Sequence, residues 1–300
     1  MGVRFILLVY LIMSTSICSA EGLIAHLRLM GDYWQLWVMN DKGKHARQLT
    51  FSPVDKVNIS WGPTNDQLIY NTNNGETWVY NLKTNKQKQI LKDIQIIDAS
   101  WSPDGESVAY GINPVDGIHG FTTLWLSDLN GENRRQIAGN LSGDVSGAQW
   151  FNDGKKMVFL NCKLSSDFRV HHDFWQSTRD HGKAKEIVGD DQQFKFEQSI
   201  SHNGGMVYSS AETGHYEIWK MSRAGSKPVQ LTYFSTSAGN PAWSTDDSQI
   251  VFDAEQHTMG VFLMSSSGMN IKRLTPVNVL AMRPEWSKQS DTKNSAERAQ

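Results

Sequence analysis

The chain has 300 residues, with 29 Lys and Arg against 31 Asp and Glu and a formal net charge of −2. This length can bury a large core in one or two domains. The near-neutral balance gives no indication that the partner is nucleic acid or an anionic membrane surface. The 11 Trp residues are an unusual load that calls for a structural explanation.

The first 20 residues have the pattern of a cleaved secretory signal. Arg4 supplies a positive start, residues 5–13 (FILLVYLIM) form an apolar run, and a plausible cleavage position follows Ala20. The run is about half of the roughly 20 apolar residues that a membrane-spanning helix needs, and no later stretch could span a bilayer. We therefore predict a signal peptide over residues 1–20 and a periplasmic or secreted mature protein. Lipid attachment through Cys18 stays open, although Ile17 stands where such signals carry a small residue.

The mature chain would contain a single thiol. Cleavage after Ala20 leaves only Cys162, which cannot form an internal disulfide, so the exported protein must be stabilised by its hydrophobic core. Residues 288–300 (KQSDTKNSAERAQ) are polar and lack an apolar period, which predicts a flexible tail. The folded domain is expected to span residues 21–287.

Three columns of residues recur along this domain. The first is an aromatic residue that opens a short turn: Trp61, Trp101, Trp150, Trp243 and Trp286. Ile200 takes this place in the remaining repeat. The second is an aromatic residue in an alternating run: Trp37, Trp78, Trp125, Trp175, Trp219 and Phe262. The third is aliphatic: Leu49, Ile90, Ile137, Ile187, Leu231 and Leu274. The second and third columns lie 12 residues apart in all six repeats, which indicates an internal structural repeat.

Each repeat predicts four short strands, a to d. The first-column aromatic ends strand a, a tight Pro-Asp-Gly or Asn-Asp-Gly turn leads into strand b, and strands c and d carry the second and third columns. Such strands at a period of about 40 to 50 residues predict an all-β, six-bladed β-propeller of four-stranded blades. Aromatic residues packed between blades would explain the Trp content.

The two ends of the chain predict how this propeller closes. The first c–d hairpin has no strand a before it, and Trp286 has no strands b to d after it. One blade would therefore combine strand a from about residues 283–287 with strands b, c and d from about residues 24–50. This pairing would hide two sheet edges that could otherwise promote aggregation.

The repeat resembles the WD40-like Pro-Asp repeat of the TolB propeller family. The best-matched pieces are WSPDG at 101–105, LWVMND at 36–41, RQLT at 47–50, VQLT at 229–232 and KRLT at 272–275. The resemblance covers residues 22–287 and implies the fold more specifically than the function, because related propellers serve as peptidase accessory domains, oligogalacturonate lyases and signalling scaffolds. TolB also carries an α/β domain before its propeller, for which this chain shows no counterpart, so only binding through the propeller itself is implied.

A polar ring is predicted where each chain segment enters the innermost strand. The residues three positions before each first-column residue are Asn58, Asp98, Gly147, Glu197, Asn240 and Arg283. Strand alternation puts this ring on the face that carries the d–a and b–c loops, and loops on a rigid scaffold are where binding residues concentrate. We expect Asn58, Asp98, Glu197, Asn240 and Arg283 to line the channel mouth and bind a protein or peptide segment of the cell envelope. Asp98 and Glu197 could alternatively form an acid/base pair across the channel.

Histidines in the b–c loops raise a second possibility. The predicted loops 111–123 and 161–173 are long, and five histidines fall in such loops: His119, His171, His172, His215 and His257. Oligogalacturonate lyases, which the resemblance brings into comparison, hold a metal through histidine in the channel, and by analogy His171, His172, Asp173 and His257 are candidate ligands of a divalent metal. No two of the histidines have the i, i+2 or i, i+4 spacing of strong metal motifs, so the main expectation is a protein without a cofactor.

These features favour a non-enzymatic, monomeric binding scaffold. The sequence contains no Gly-x-Ser-x-Gly nucleophile elbow. The alternative is a metal-dependent carbohydrate-active enzyme, or a carbohydrate-binding propeller, with its site at the channel mouth. A structural member of a larger envelope complex is a third possibility that the sequence does not separate from the first.

Overall fold

A computed structural model describes residues 22–91, 95–114, 120–164, 166, 169–180, 183–188 and 194–288. The predicted signal peptide with Cys18, His119 and most of the predicted tail lie outside these ranges. Within them, no helix is long and apolar enough to cross a membrane.

The described chain forms six antiparallel sheets of four strands each, which confirms the predicted six-bladed propeller. Blade 1 contains β1 (Leu23–Met30), β2 (Tyr33–Asn40) and β3 (Arg47–Gln48), and blade 2 contains β4 (Lys56–Trp61), β5 (Gln67–Thr72), β6 (Thr77–Asn81) and β7 (Lys86–Leu91). Blade 3 contains β8 (Ile96–Trp101), β9 (Ser107–Ile112), β10 (Thr123–Asp128) and β11 (Arg135–Ile137), and blade 4 contains β12 (Asp144–Trp150), β13 (Lys156–Leu164), β14 (Val170–Thr178) and β15 (Lys185–Val188). Blade 5 contains β16 (Lys195–Ile200), β17 (Met206–Ser210), β18 (Glu217–Met221) and β19 (Val229–Gln230), and blade 6 contains β20 (Ala238–Trp243), β21 (Gln249–Gln256), β22 (Thr258–Ser265) and β23 (Lys272–Arg273). Finally, β24 (Ala281–Trp286) completes blade 1.

The two ends of the domain pair as predicted. β24 runs antiparallel to β1, with Ile24 opposite Trp286 and Arg28 opposite Ala281. Beyond the last strand, Ser287 N donates to Leu23 O at 2.8 Å, and Leu23 N donates to Ser287 Oγ at 3.0 Å. The innermost strand of every blade contacts that of the next, from β24 through β4, β8, β12, β16 and β20 back to β24, so the ring of blades is closed.

The first-column tryptophans join neighbouring blades. Trp61 is 1% exposed, and its indole Nε1 donates to the backbone oxygen of Glu285 in blade 1 at 3.0 Å. Trp150 makes the same bond to Ser100 O of blade 3 at 3.2 Å. Each first-column tryptophan removes roughly 150 to 250 Å² from water, so burial drives the stacking of blades, and at Trp61 and Trp150 the indole bond adds direction.

One segment predicted as a loop is mostly strand. Residues 161–173 lie largely in β13 and β14, which pair without interruption from Lys156 opposite Thr178 to Leu164 opposite Val170. His171, His172 and Asp173 are therefore strand residues whose side chains alternate between the two faces of blade 4. Side-chain direction on a strand, rather than proximity along a loop, decides which of them can act together.

Candidate functional site

The innermost strands share a backbone irregularity at the predicted ring. In every one of the six, the pairing with the next strand slips by a β-bulge at or next to the ring position. Five ring residues have a left-handed backbone: Asp98 (φ 50°), Gly147 (φ 67°), Glu197 (φ 58°), Asn240 (φ 48°) and Arg283 (φ 51°). A bulge in this conformation bends the strand and re-aims its side chain. Four of these five residues carry a side chain, so the backbone at this level of the channel is strained in four of the six blades, whereas glycine adopts the conformation without strain in blade 4.

Hydrogen bonds connect three ring residues across blades 5, 6 and 1. Glu197 Oε2 accepts from Ser209 Oγ at 2.9 Å and from Asn240 N at 2.7 Å. Asn240 Nδ2 donates to Asp253 Oδ2 at 2.8 Å, and Arg283 N donates to the same oxygen at 2.7 Å. The structure therefore brings Glu197, Asn240 and Arg283 into one network, with Asp253 at its centre.

Asn58 and Asp98 occupy the channel wall of blades 2 and 3. Asn58 Nδ2 donates to Ala99 O at 3.2 Å, and Asn71 Oδ1 accepts from Ala99 N at 2.9 Å. Asp98 is half-buried, and desolvation raises its pKa, while Arg283 opposes the rise and Glu197 adds to it. The charges of Arg283 and Glu197, which belong to other blades, therefore affect the ionisation of Asp98.

Asp253 was not anticipated from the sequence. Its side chain is 4% exposed, and desolvation, reinforced by the negative charge of Glu197, raises its pKa to about 7. The sequence feature that could have identified it is a polar residue directly after the aromatic residue of strand b, here Phe252. Asn71 and Ser209 occupy the same position in blades 2 and 5. All three support ring residues through hydrogen bonds. The mouth consequently holds three interacting carboxyl groups, of Asp98, Glu197 and Asp253, against the single guanidinium of Arg283.

The candidate metal ligands do not face one another in blade 4. The His172 ring packs edge-on against Phe194 at 4.9 Å and Phe196 at 4.5 Å between ring centroids, and burial lowers its pKa. Asp173, on the opposite face of the strand, pairs with Lys163, with 3.2 Å between Oδ2 and Nζ.

The remaining candidates give no closer grouping. His171 lies opposite Lys163 on β13, and His257 forms the turn between β21 and β22 in blade 6. In the part of the chain that the structure describes, no three His, Cys, Asp or Glu side chains are grouped so that they could hold a metal ion. The metal site stays a prediction, and elemental analysis of purified protein with its His171→Ala and His257→Ala variants is the measurement that tests it.

Two buried ionisable groups of opposite charge lie at the opposite end of the channel. Glu285 lies one position before Trp286, where three other blades carry Ser60, Ser100 and Ser199. Burial raises the pKa of Glu285 and lowers that of Lys288, while each charge favours ionisation of the other. Lys288 Nζ donates to Trp101 O at 3.3 Å, so this side chain reaches from blade 1 to blade 3. The residue that begins the predicted tail is thus anchored at the end of the channel.

Large apolar side chains are exposed around the mouth. Those on the d–a and b–c loops and strand ends of this face include Tyr233 (77% exposed), Phe51 (75%), Phe121 (58%), Val277 (57%) and Phe194 (47%). Exposed apolar residues concentrated on one face mark interaction surfaces in soluble proteins. These five exposed side chains, here called the apolar rim, lie on the same face as the carboxylate-rich mouth.

Solved structures with the same architecture include two TolB proteins. TolB of Acinetobacter baumannii superposes with a TM-score of 0.74 and 16% identity, over 89% of this chain and 67% of that one. A protein assigned as TolB in Agrobacterium tumefaciens gives 0.69 and 17%, over 90% and 99%. At these identities the likeness shows the fold alone.

Curated relatives match only parts of the chain. Dipeptidyl-peptidase 5 of Porphyromonas gingivalis is 25% identical over 144 residues, which are 43% of this chain and 20% of the relative. Dipeptidyl-peptidase 5 of Trichophyton equinum is 29% identical over 80 residues, 27% of this chain and 11% of the relative. The chain therefore spans a fifth or less of the length of these relatives.

A family model gives the broadest match. The model described as the TolB beta propeller domain matches residues 70–290, well over half of the sequence. The matched region includes blades 3 to 6 and the closing strand β24, and the strand order observed in those blades agrees with it. The chain belongs to the TolB β-propeller domain family.

Proposed function

We propose that this propeller is a non-enzymatic binding scaffold of the cell envelope that docks a protein, or a peptide segment of one, on the face carrying the d–a and b–c loops. The observation that supports the proposal most directly is the ring of left-handed bulges, which presents Asp98, Glu197, Asn240 and Arg283 together at the channel mouth. Residues with a side chain in a strained backbone conformation cluster at binding and active sites.

The charge of the mouth favours a cationic group on the ligand. Asp98, Glu197 and Asp253 outnumber Arg283, and burial makes it costly for Asp98 and Asp253 to ionise without a counter-charge. A lysine, arginine or terminal amine of the partner would supply that charge, while the apolar rim would contact the surrounding surface. Export to the periplasm or beyond, which the N-terminal pattern predicts, would place the scaffold among envelope proteins.

The proposal is tested by removing negative charge from the mouth without changing its shape. In the double variant Asp98→Asn and Glu197→Gln, both side chains keep their size, and the amide oxygen at position 197 can still accept the hydrogen bonds that Glu197 accepts. A charge-assisted bond contributes about 1.5 to 3 kcal/mol, so we expect affinity for a partner captured by cross-linking from envelope extract to fall at least about tenfold. The matched control is Glu106→Gln with Glu132→Gln, which removes the same charge from turns of the opposite face and should leave binding unchanged.

Binding should also depend on pH. Because the pKa of Asp253 is about 7 in the free protein, a cationic ligand that favours its ionised form releases a proton on binding. Affinity should therefore rise as pH increases through 7. The proposal would be contradicted if the Asp98→Asn, Glu197→Gln variant bound the partner as tightly as the parent protein does. An affinity that falls as pH rises would contradict it as well.

A further inference from the structure

The outermost strand of blade 2 differs from its five equivalents. β7 (Lys86–Leu91) has six residues, whereas β3, β19 and β23 have two each, β11 has three and β15 has four. It pairs with β6 along its length, and no described strand pairs with its other side. Natural proteins usually keep edge strands short, because an unpaired edge is a template for another strand. The length of β7 therefore requires an explanation.

The pairing pattern shows which backbone groups face outward. Leu82 N donates to Asp66 O on the side of β5. Because the backbone groups of successive strand residues point in opposite directions, the N–H and C=O groups of Asn81 point toward β7. In an antiparallel ladder this direction alternates, so Lys86 and Lys88 bond to β6 while the N–H and C=O groups of Gln87 and Gln89 point away from the sheet. β7 thus presents the backbone N–H and C=O groups of two residues, Gln87 and Gln89, to a strand that could pair with its outer edge.

A groove lies next to the β7 edge, between blade 2 and blade 1. It has a volume of about 460 Å³, and its lining includes Arg47, Phe51, Tyr80, Asn85 and Gln87. Tyr70 OH donates to Gln87 Oε1 at 2.7 Å, which holds the Gln87 side chain toward blade 1. Strand-addition sites combine a free edge, which binds main chain, with pockets that accept alternate side chains.

The charges on the edge select the kind of strand that would fit. Lys86 and Lys88 are exposed on the side of β7 opposite to Gln87, and β7 contains no acidic residue. Nearby Lys83 is already paired with Asp66, with 2.9 Å between Nζ and Oδ2. Lysines directly opposite like charges destabilise a strand pair, and opposite charges stabilise it. The edge therefore discourages pairing with a second copy of itself and favours a strand with acidic residues at alternate positions.

From this combination we propose that β7 is a docking site for an extended acidic segment of another protein, which adds to blade 2 as a fifth strand. Its alternate side chains would lie over Lys86 and Lys88 on one face and in the groove beside Gln87 on the other. This site uses none of the ring residues of the channel mouth, although Phe51 borders both surfaces, and its test with Lys86 and Lys88 is separate from that of the proposed function.

A fluorescein-labelled peptide, Ser-Glu-Val-Glu-Val-Glu-Ser, tests the proposal by fluorescence anisotropy on the intact chain. We expect it to bind more tightly than the charge-reversed Ser-Lys-Val-Lys-Val-Lys-Ser. Lys86→Glu with Lys88→Glu should weaken the acidic peptide about tenfold, since two cross-strand charge pairs each contribute about 0.2 to 1 kcal/mol, and should strengthen the basic one. The control Lys227→Glu with Lys272→Glu changes the net charge equally at the outer rims of blades 5 and 6 and should leave both affinities unchanged.

A second variant tests the backbone contacts. Gln89→Pro removes an outward N–H without breaking a bond to β6, so we expect a melting temperature close to that of the parent protein but loss of acidic-peptide binding. Failure of the acidic peptide to bind the parent protein would overturn the proposal and leave the lysines as guards against aggregation. Equal binding to the Lys86/Lys88 variant, or dimers of the parent protein in sedimentation that dissociate in that variant, would overturn it as well.

Discussion

At the scale of single residues, His26 occupies an aromatic position of the repeat. It lies opposite Trp37 on the neighbouring strand, as Tyr70 lies opposite Trp78 in blade 2. The side chain is 1% exposed, and desolvation, together with the positive charge of Arg28, lowers its pKa to about 3. The ring is therefore neutral in the folded protein under ordinary conditions and fills the space that an aromatic ring fills elsewhere.

His26 should make the propeller sensitive to acid. Between the ordinary pKa of 6.5 and the folded value of about 3, the unfolded chain binds a proton that the folded chain does not. The free energy of unfolding should therefore decrease as pH falls through this window, by up to about 1.4 kcal/mol per pH unit from this group. His26→Phe should remove this contribution, as measured by urea unfolding of both proteins across the window. Carboxyl groups such as Asp253 contribute equally to both, so identical pH slopes would contradict the prediction.

At the scale of the element, the bulge of each innermost strand depends on a residue that tolerates a left-handed backbone. Gly147 meets this requirement without a side chain, whereas Asn240 and Asp98 belong to the residue types most often found there. Glu197 and Arg283 do not, so their backbone conformation is held by the surrounding blades. The bonds from Asn240 N to Glu197 and from Arg283 N to Asp253 are part of what holds it.

Gly147→Ala isolates the backbone contribution of one bulge. The added Cβ would lie 3.9 Å from the nearest side-chain atom, Gln198 Nε2, so it meets no steric clash. A left-handed residue with a Cβ costs roughly 1 to 2 kcal/mol, and we expect this loss in chemical denaturation, with a smaller loss for Gly147→Asn. Gly139→Ala is the matched control, because Gly139 does not have a positive φ and its Cβ would have ordinary contacts. Equal losses in Gly147→Ala and Gly139→Ala would contradict the assignment.

At the scale of the whole molecule, closure joins residues that are far apart in sequence. Leu29 N donates to Leu280 O at 3.0 Å, and Trp61 Nε1 donates to Glu285 O from the neighbouring blade. β24 therefore completes blade 1 and also supports blade 2. Such non-local pairing removes the last two open edges of the ring.

Removal of β24 should open the propeller. A chain truncated before Ala281 would expose the edge of β1 and the core around Ile24, so we expect aggregation or loss of cooperative unfolding. A chain truncated after Lys288 keeps every described strand and should remain monomeric and unfold cooperatively. Size-exclusion chromatography with thermal circular dichroism distinguishes the two. A monomeric, cooperatively unfolding protein that lacks β24 would show that closure by the two ends is dispensable.

The sequence by itself determined the number of blades, the strand order and the pairing of the two ends, because these follow from spacings of aromatic, turn and aliphatic residues that each blade repeats locally. It also located the ring positions Asn58, Asp98, Glu197, Asn240 and Arg283 by counting back from the first aromatic column. Only the tertiary structure decided that those strands bulge there, that Asp253 joins Glu197, Asn240 and Arg283, and that His172 and Asp173 point apart. These features depend on strand register and on contacts between blades, and residues in different repeats carry no local sequence signal of which partner they will meet.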